Sequence, residues 1–532
     1  MLLAVSMLTM SLAGCGNSSS DSAASTTAAA SAATEGATVD VNAAADEAAA
    51  ALADKSPITI SMMNRVGASF VAENNKMLEH LTECTGVTLE LDLPPVNNYV
   101  DRLNLVMSTG DMPDVIYVWD FDAKYKQWAE EGLILPLDEL AKNYPNLMEN
   151  ISSDQWDMAR VSGAGNQAFA VPRPTPESFW GFVYNNEWFE KLGVDCPATP
   201  EEAYEVGKLV ATQDPDGNGK NDTFLFSPSH LWSDVWLITA FMPFSLQHVP
   251  AYLPDRDGKY KIKEKMDGYM PYLDFMRKCY AEGIVDPEFI TNQYGDDLTK
   301  CQQQRTAIAH TPDPSYAYTW GIELENKNRF GYSPCLKGEN DAKPRNEAAT
   351  ATWGGWMISA DVDPEKLPRI MALLDWGNSL EGFITMQLGV QGYSYDSYDV
   401  ENRSLIATDE QIANRGGMLD AKMCIAAAYQ GKGATYGNTQ EAADAISTIR
   451  EDALSKVDQI NIPPVRCEEI DTWAGNNPDI SAKKETMEVK YVVGEISKEE
   501  FEAFLNNEYF PNVAEAEAAY IETMEAYEAA NK

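Results

Sequence analysis

The residues best suited to a definite chemistry are Asp214-Pro215-Asp216-Gly217-Asn218-Gly219-Lys220-Asn221-Asp222. Oxygen-bearing side chains stand at every second position with glycine at the sixth, which curls a loop so that several oxygens converge, as in the first half of an EF-hand calcium loop. The three carboxylates of Asp214, Asp216 and Asp222 would repel one another without a cation. The match to an EF-hand stops at its twelfth position, where Leu225 replaces the bidentate glutamate. An Asx-rich surface turn is the other reading of the same residues. Signals for catalysis are weaker. With 82 acidic residues, some pair of carboxylates falls at a catalytic spacing by chance, so carboxylates alone do not mark a glycosidase or lyase. His80, His230, His248 and His310 are isolated, and H-E-x-x-H, G-x-S-x-G and G-x-x-x-x-G-K-[ST] are all missing. Zinc hydrolase, serine hydrolase and ATPase chemistry are therefore not signalled.

The chain around these residues has 532 residues, with 82 Asp+Glu against 40 Lys+Arg, a formal net charge of -42. Nucleic-acid binding rests on neutralising phosphates with Lys and Arg, so nucleic acid is excluded as an expected partner. At 44% hydrophobic and 10% aromatic the chain can bury large cores, and its length calls for about two domains or more. From Ser56 onward strand and helix patterns alternate. Ile58, Ile60 and Met62 alternate as a strand; Phe70 to Glu83 has helical spacing ended by Gly86; Val87, Leu89, Leu91 and Leu93 alternate again. Tyr99 to Met107 returns to a helix period before Gly110, and Asp114 to Trp119 is a short apolar run suited to a buried parallel strand. The class is α/β, with helices covering a parallel sheet. Thr199-Pro200-Glu201-Glu202 starts a further helix with a capping-box glutamate, Asp363-Pro364 another despite Pro368, and Ser497 with Glu500 a third.

The start, MLLAVSMLTMSLAGCG, is an apolar run too short to span a bilayer and ending in small residues, as in a secretory signal. Leu12-Ala13-Gly14-Cys15 resembles the lipobox of bacterial lipoproteins, which implies a signal peptide over residues 1–14 and a lipid on Cys15. The departure is a missing basic region before the apolar run. Residues 15–55 are Ser, Ala, Thr and Gly with a few acids, and read as a disordered tether; Asp40 to Ala53 is Ala-rich enough to form helix, but nothing in it signals an anchor. The other cysteines, Cys84, Cys196, Cys279, Cys301, Cys335, Cys424 and Cys467, are odd in number and scattered, so free thiols are expected rather than a disulfide framework or a zinc site. The expected location is the extracytoplasmic face of a bacterial membrane.

Several runs resemble, in order, the extracellular solute-binding proteins of family 1, receptors of bacterial ABC importers. They are Thr109-Gly110-Asp111-Met112-Pro113-Asp114-Val115-Ile116; Gly132-Leu133-Ile134-Leu135-Pro136-Leu137-Asp138; Tyr184-Asn185-Asn186-Glu187-Trp188-Phe189 through Gly193; and Leu380-Glu381-Gly382 with Gly389-Val390-Gln391-Gly392. The subset with lipoprotein and alginate-binding receptors is the most similar. The resemblance implies a periplasmic-binding-protein-like fold of two α/β lobes with ligand in the cleft between them. Lobe 1 would hold residues 56–171 plus about 357–395, and lobe 2 residues 172–356 plus about 396–532. It implies a non-enzymatic, monomeric receptor that closes on its solute and delivers it to permease subunits, with a peptide receptor of the same fold as the alternative and a secreted carbohydrate-active enzyme as a lesser one. For the acidic loop it implies structural Ca2+ on Asp214, Asp216, Asn218, the Lys220 carbonyl and Asp222, although Thr223 stands where a further acid would help. Ligands of open α/β sheets bind beyond the carboxyl ends of the strands. That selects Asn64 and Arg65, then Trp119 and Asp120; across the lobe crossing it selects Phe179 and Trp180, and later Tyr316, Trp353, Trp356 and Tyr393. Indole faces beside Asp, Asn and Arg suit an oligosaccharide.

Overall fold

The alternating run after Ser56 forms an interior strand of a sheet, Ile58–Met63 (β1), which pairs in parallel with Val87–Asp92 (β2) and with Val115–Val118 (β3). The computed structural model describes residues 41–67, 69–175, 180–243, 253–348, 352–400, 404–420, 423–431, 433, 440–461 and 468–530. The signal segment, Cys15, the tether up to residue 40, Phe179 and Cys467 lie outside these residues. Arg160–Val161 (β4) and Gln167–Ala168 (β5) make a small hairpin before Val171–Pro174 (β6). Gly181–Asn185 (β7), Ile308–Thr311 (β8) and Phe330–Pro334 (β9) form a second, antiparallel sheet in the order β8-β7-β9. Arg345–Ala348 (β10) is followed by Thr352–Ile358 (β11), which returns to the first sheet antiparallel to both β3 and β6, giving the order β2-β1-β3-β11-β6. Ser397–Asp399 (β12) and Ser404–Ile406 (β13) form a hairpin, and Asp458–Asn461 (β14) pairs with β10.

Two hydrophobic cores follow from this order. The first gathers Met62, Ile116, Tyr117, Met357 and Leu374; the second gathers Trp188, Trp236, Tyr269 and Tyr272 with Phe501, Val513 and Tyr520 from the C-terminal helices. Met418, Met423, Cys424 and Ile425 pack in the first core, and Ala428 N–H donates to Pro174 C=O at 3.0 Å. The returning segment therefore stays with the first lobe well past the expected boundary near residue 395. Likewise Pro172–Pro174 and Thr352–Trp356, expected at the edges of lobe 2, lie in strands of the first sheet, because each completes the ladder of its neighbour.

Helix boundaries follow their caps. The helix expected from Phe70 begins only at Lys76, since Asn75 Oδ1 accepts from Met77 N and Leu78 N, and it ends at Thr85 before Gly86 at φ +74°. A Cβ on Gly86 would meet the Ser56 carbonyl at 2.8 Å, a close approach that only glycine permits. Thr199 caps the helix Pro200–Thr212 as expected, but the Glu202 carboxylate accepts from Ala198 N rather than from the cap. The helix expected from Asp363 starts at Leu367, with Pro368 in its first turn where no amide donor is needed. Residues expected as tether form a helix, Val41–Ala53. Ala48 and Ala51 are buried, Leu52 packs on the first core, and Asp54 accepts from Arg369 Nη1 at 2.7 Å; the small alanines are what let this helix lie close against Leu367–Asn378. The six described cysteines are free thiols. Among the described residues no helix is long and apolar enough to cross a membrane.

The candidate ligand cleft and cation loop

A cavity of about 460 Å³ lies between the two lobes. Its first wall comes from the carboxyl ends of β1 and β3 and from β6 and β11: Arg65, Trp119, Asp120, Arg173, Thr352 and Trp353. Its second wall carries Trp180, Ser229, His230, Tyr294, Asp297 and His310. Trp119 follows β3 and remains 41% exposed, while the Arg65 guanidinium covers one face of its ring. Trp119 itself lines the cavity. Arg65 also lies 5.7 Å from the Tyr117 ring centroid, and Arg173 lies 6.0 Å from it and 5.9 Å from that of Trp353. Arg173 Nε donates to Cys424 C=O at 2.7 Å, which ties this arginine to the returning segment. Arg65 is 6% exposed and its Nε has no acceptor among the described residues. Burial, with the Arg173 charge adding to it, lowers Arg65 to about 10, so it remains a cation at neutral pH.

Gly354, at φ +70°, sits so close to the carbonyls of Val118 and Trp119 that a side chain there would collide with them. The β11 register shifts between Thr352 and Gly355, and the two tryptophans of this strand part company. Trp353 lines the cleft. Trp356 is fully buried behind the wall, its ring centroid 5.1 Å from Tyr117 and its Nε1 donating to Ile425 C=O at 3.2 Å. The expectation that Trp356 offers a ligand platform is thus replaced by a core role, since strand alternation turns it inward.

Other expected residues fall away from the cleft. Asn64 is buried beneath it, its Oδ1 accepting from Arg65 N at 2.8 Å and its Nδ2 3.4 Å from the Met423 sulfur, so it shapes the turn that presents Arg65. Tyr316 packs on Trp320, centroids 4.9 Å apart, in a small satellite core. Tyr393 is exposed in the Gly389–Ser394 turn, its carbonyl accepting from Asn414 Nδ2. Arg65, Trp119, Asp120, Trp180 and Trp353 are brought together. Sequence reasoning missed Arg173 and most of the second wall. A charged residue between Pro172 and Pro174, at the expected lobe crossing, is the one signal that could have pointed to Arg173.

The second wall is aromatic and acidic. His310 stacks on Trp180 with centroids 4.9 Å apart at 21°, and burial lowers its imidazole to about 3, leaving it neutral. Ser229 Oγ donates to Asp297 Oδ1 at 3.0 Å, and burial raises the Asp297 carboxyl. Behind it, burial reinforced by Asp297 raises Asp234 well above its ordinary range. Tyr294 is 77% exposed. The arrangement offers indole faces, guanidinium donors and carboxyl acceptors on opposing walls, which is recognition chemistry.

The acidic loop folds on itself in the second lobe. Asn218 Nδ2 donates to Asp216 Oδ2 at 2.8 Å and to Asp222 Oδ1 at 2.9 Å, while Asp214 accepts from Asn218 N and Gly219 N at 3.0 and 2.8 Å. Asp214 itself takes a positive φ of 47°. A hydrogen bond with Asp216 lowers Asp214, and burial followed by that same shared hydrogen bond raises Asp216. The donor set fits a hard cation: oxygens of Asp216 and Asp222 already converge on one point, where the amide nitrogen supplies partial positive charge. Rotating the Asn218 amide would turn its oxygen to that same point.

Two lobes of separate cores, joined by strands that recross between them and enclosing a polar, aromatic cleft, define a solute-binding receptor. The model of the bacterial extracellular solute-binding proteins matches residues 67–382, and the chain belongs to that family. It is similar to Lipoprotein LipO of Bacillus subtilis, 25% identical over 364 residues, 64% of this chain and 70% of LipO. It is also similar to the fructooligosaccharide ABC transporter substrate-binding protein FusA of Streptococcus pneumoniae, 24% identical over 253 residues, 45% of this chain and 47% of FusA. FusA solved with kestose superposes with a TM-score of 0.63 at 18% identity, covering 89% of this chain and 100% of that one; FusA has also been solved as an EF-hand mutant. An HMO-binding, ABC-transporter-associated solute-binding protein of Bifidobacterium longum infantis superposes with a TM-score of 0.67 at 17% identity, covering 89% of this chain and 99% of that one.

Proposed function

We propose that this chain is the lipid-anchored, extracytoplasmic receptor of an ABC importer, and that it captures an oligosaccharide in the interlobe cleft. The observation that carries the reading is the pairing of partly open indoles, Trp119 and Trp353, with Arg65 and Asp120 on one wall and Asp297 across from them. Sugar rings present apolar faces to indoles and hydroxyls to charged groups, and this cleft offers both within about 460 Å³. A ligand touching both walls stabilises the closed arrangement by its differential affinity, and the closed form is what the permease subunits receive. The fructooligosaccharide and HMO specificities named for the relatives support a saccharide over a peptide. Cys15 would carry the lipid and residues 16–40 would tether the body to the membrane, a reading supported by the similarity to LipO. The receptor acts as a monomer, and the cleft binds without turnover.

Asp214, Asp216, Asn218, Asp222 and the Lys220 carbonyl would hold Ca2+, which supplies a fixed positive centre for the clustered oxygens. Lys191 Nζ donates to Pro215 C=O at 3.2 Å, so the loop is pinned to the helix Asn186–Leu192 rather than to the cleft. Its role is structural. A thermal-shift screen of neutral and acidic oligosaccharides and short peptides, with and without a calcium chelator, tests both parts, because a ligand that binds only the folded state raises Tm. A saccharide shift without product formation is expected. A shift with peptides alone, or saccharide turnover, would overturn the reading.

A further inference from the structure

A third group of donors lies on the first lobe, away from both the cleft and the acidic loop. His80 and Cys84 stand one turn apart on the helix Lys76–Thr85, so they share a face. Glu381, in the first turn of the helix Leu380–Leu388, reaches them from the returning segment. Cys84 Sγ lies 3.5 Å from His80 Nε2 and 3.7 Å from Glu381 Oε1, and all three donor atoms lie within 4.8 Å of one another. With Zn–S of about 2.3 Å and Zn–N and Zn–O of about 2.0–2.2 Å, a tetrahedral ion sets S···N and S···O edges of about 3.5–3.6 Å. The S···N edge already has this length, and the S···O edge, at 3.7 Å, exceeds it by about 0.1–0.2 Å.

The surrounding groups orient the donors in the way a metal requires. Glu83 Oε2 lies 3.5 Å from His80 Nδ1; with the ring proton on that nitrogen, the Nε2 lone pair faces Cys84. The second oxygen of Glu381 accepts from Trp376 Nε1 at 3.1 Å, leaving Oε1 facing the sulfur. A thiol has one proton and cannot satisfy both a histidine lone pair and a carboxylate; one cation serves all three. Cys84 and Glu381 also border a cavity of about 230 Å³, with Thr85, Arg369 and Trp376 on its walls, which leaves room for a water as fourth ligand.

We propose that His80, Cys84 and Glu381 bind Zn2+, a borderline-soft divalent cation suited to one thiolate, one imidazole and one carboxylate. Binding replaces the S–H bond of Cys84 with an S–Zn bond and releases one proton to solvent, with no change of oxidation state. The ion fastens the returning segment to the helix Lys76–Thr85.

The test is a Co2+ titration of the full, tag-free chain in saturating Ca2+, followed by displacement with Zn2+. One Co2+ per chain with a thiolate-to-cobalt charge-transfer band, bleached by Zn2+, is expected. Cys84→Ser should abolish the band, and His80→Ala or Glu381→Gln should weaken Co2+ binding at least about tenfold, the range in which even outer partners of a metal site act. Glu381→Gln with an unchanged metal-free Tm separates loss of the site from loss of the fold. Absence of the band from the native chain, or its persistence in Cys84→Ser, would overturn the proposal.

Discussion

Trp353 and Trp356 stand on one strand three residues apart, yet one should answer to ligand and the other to heat. Trp356 is fully buried, and its indole N–H holds the Ile425 carbonyl. Trp356→Ala removes a large core side chain, a change costing about 3–5 kcal/mol, and leaves that carbonyl without its donor. For a lobe of this size about 2–4 °C of Tm accompanies each kcal/mol, so Tm should fall by about 6–20 °C. Trp353 is only partly buried and lines the cleft. Trp353→Ala should change Tm by no more than about 2 °C, in keeping with substitutions of about 0.5 kcal/mol away from cores. Its loss should instead weaken saccharide binding by about tenfold, equivalent to about 1.4 kcal/mol of lost stacking. Differential scanning calorimetry and calorimetric titration read the two effects separately. If Trp356→Ala keeps the native Tm while losing binding, or Trp353→Ala melts the lobe, the division of this strand into core and cleft is wrong.

Asp214→Asn with Asp216→Asn should abolish the Tm gain from Ca2+, which at a hundredfold excess over Kd amounts to about 2.7 kcal/mol, or about 5–10 °C in scanning calorimetry. Glu488 accepts from Trp232 Nε1 at 3.0 Å and Tyr269 OH at 2.6 Å and lies 3.7 Å from Lys484. Glu488→Ala should therefore cost about 3–5 kcal/mol and release the C-terminal helices to limited proteolysis. His310 is held neutral, with its pKa at about 3 in the folded chain against an ordinary value of 6.5. As pH falls from 6.5 toward 3 the unfolded chain gains a proton that the folded one does not, so this part of the stability is complete above pH 6.5 and declines below it. His310→Phe, which keeps a ring against Trp180, should flatten that limb in denaturant midpoints measured across the range.

The first lobe was legible because its signals are local. Alternation at Ile58 to Met62, the glycines Gly86 and Gly110, and the apolar run before Trp119 gave the elements that hold Arg65, Trp119 and Asp120 at strand ends. The return of residues 352–428 to that lobe was harder to read, since pairing of β11 with β3 is a long-range event that leaves no period in the sequence. Trp356 looked like Trp353 because both faces of this strand carry indoles; they stand on opposite faces, and only the position of the strand between its neighbours shows which face meets the cleft. The helix Val41–Ala53 was hidden by its composition, because alanine signals helix without signalling what it packs on. The second wall, with Tyr294, Asp297 and His310, comes from segments whose spacing resembles ordinary loop and helix, and only the fold brings them opposite Trp119. Glu381 is separated from His80 and Cys84 by about 300 positions and by the chain's excursion through the second lobe, so no motif search could join them.

The most direct measurement is a calorimetric titration of a purified oligosaccharide that raises Tm into the native chain and into the Trp119→Ala, Trp353→Ala double variant. One site per chain in the native protein, unchanged saccharide after the titration, and loss of most of the affinity in the double variant at native Tm are expected. Equal affinity in both proteins would place the ligand outside the interlobe cleft and contradict the account.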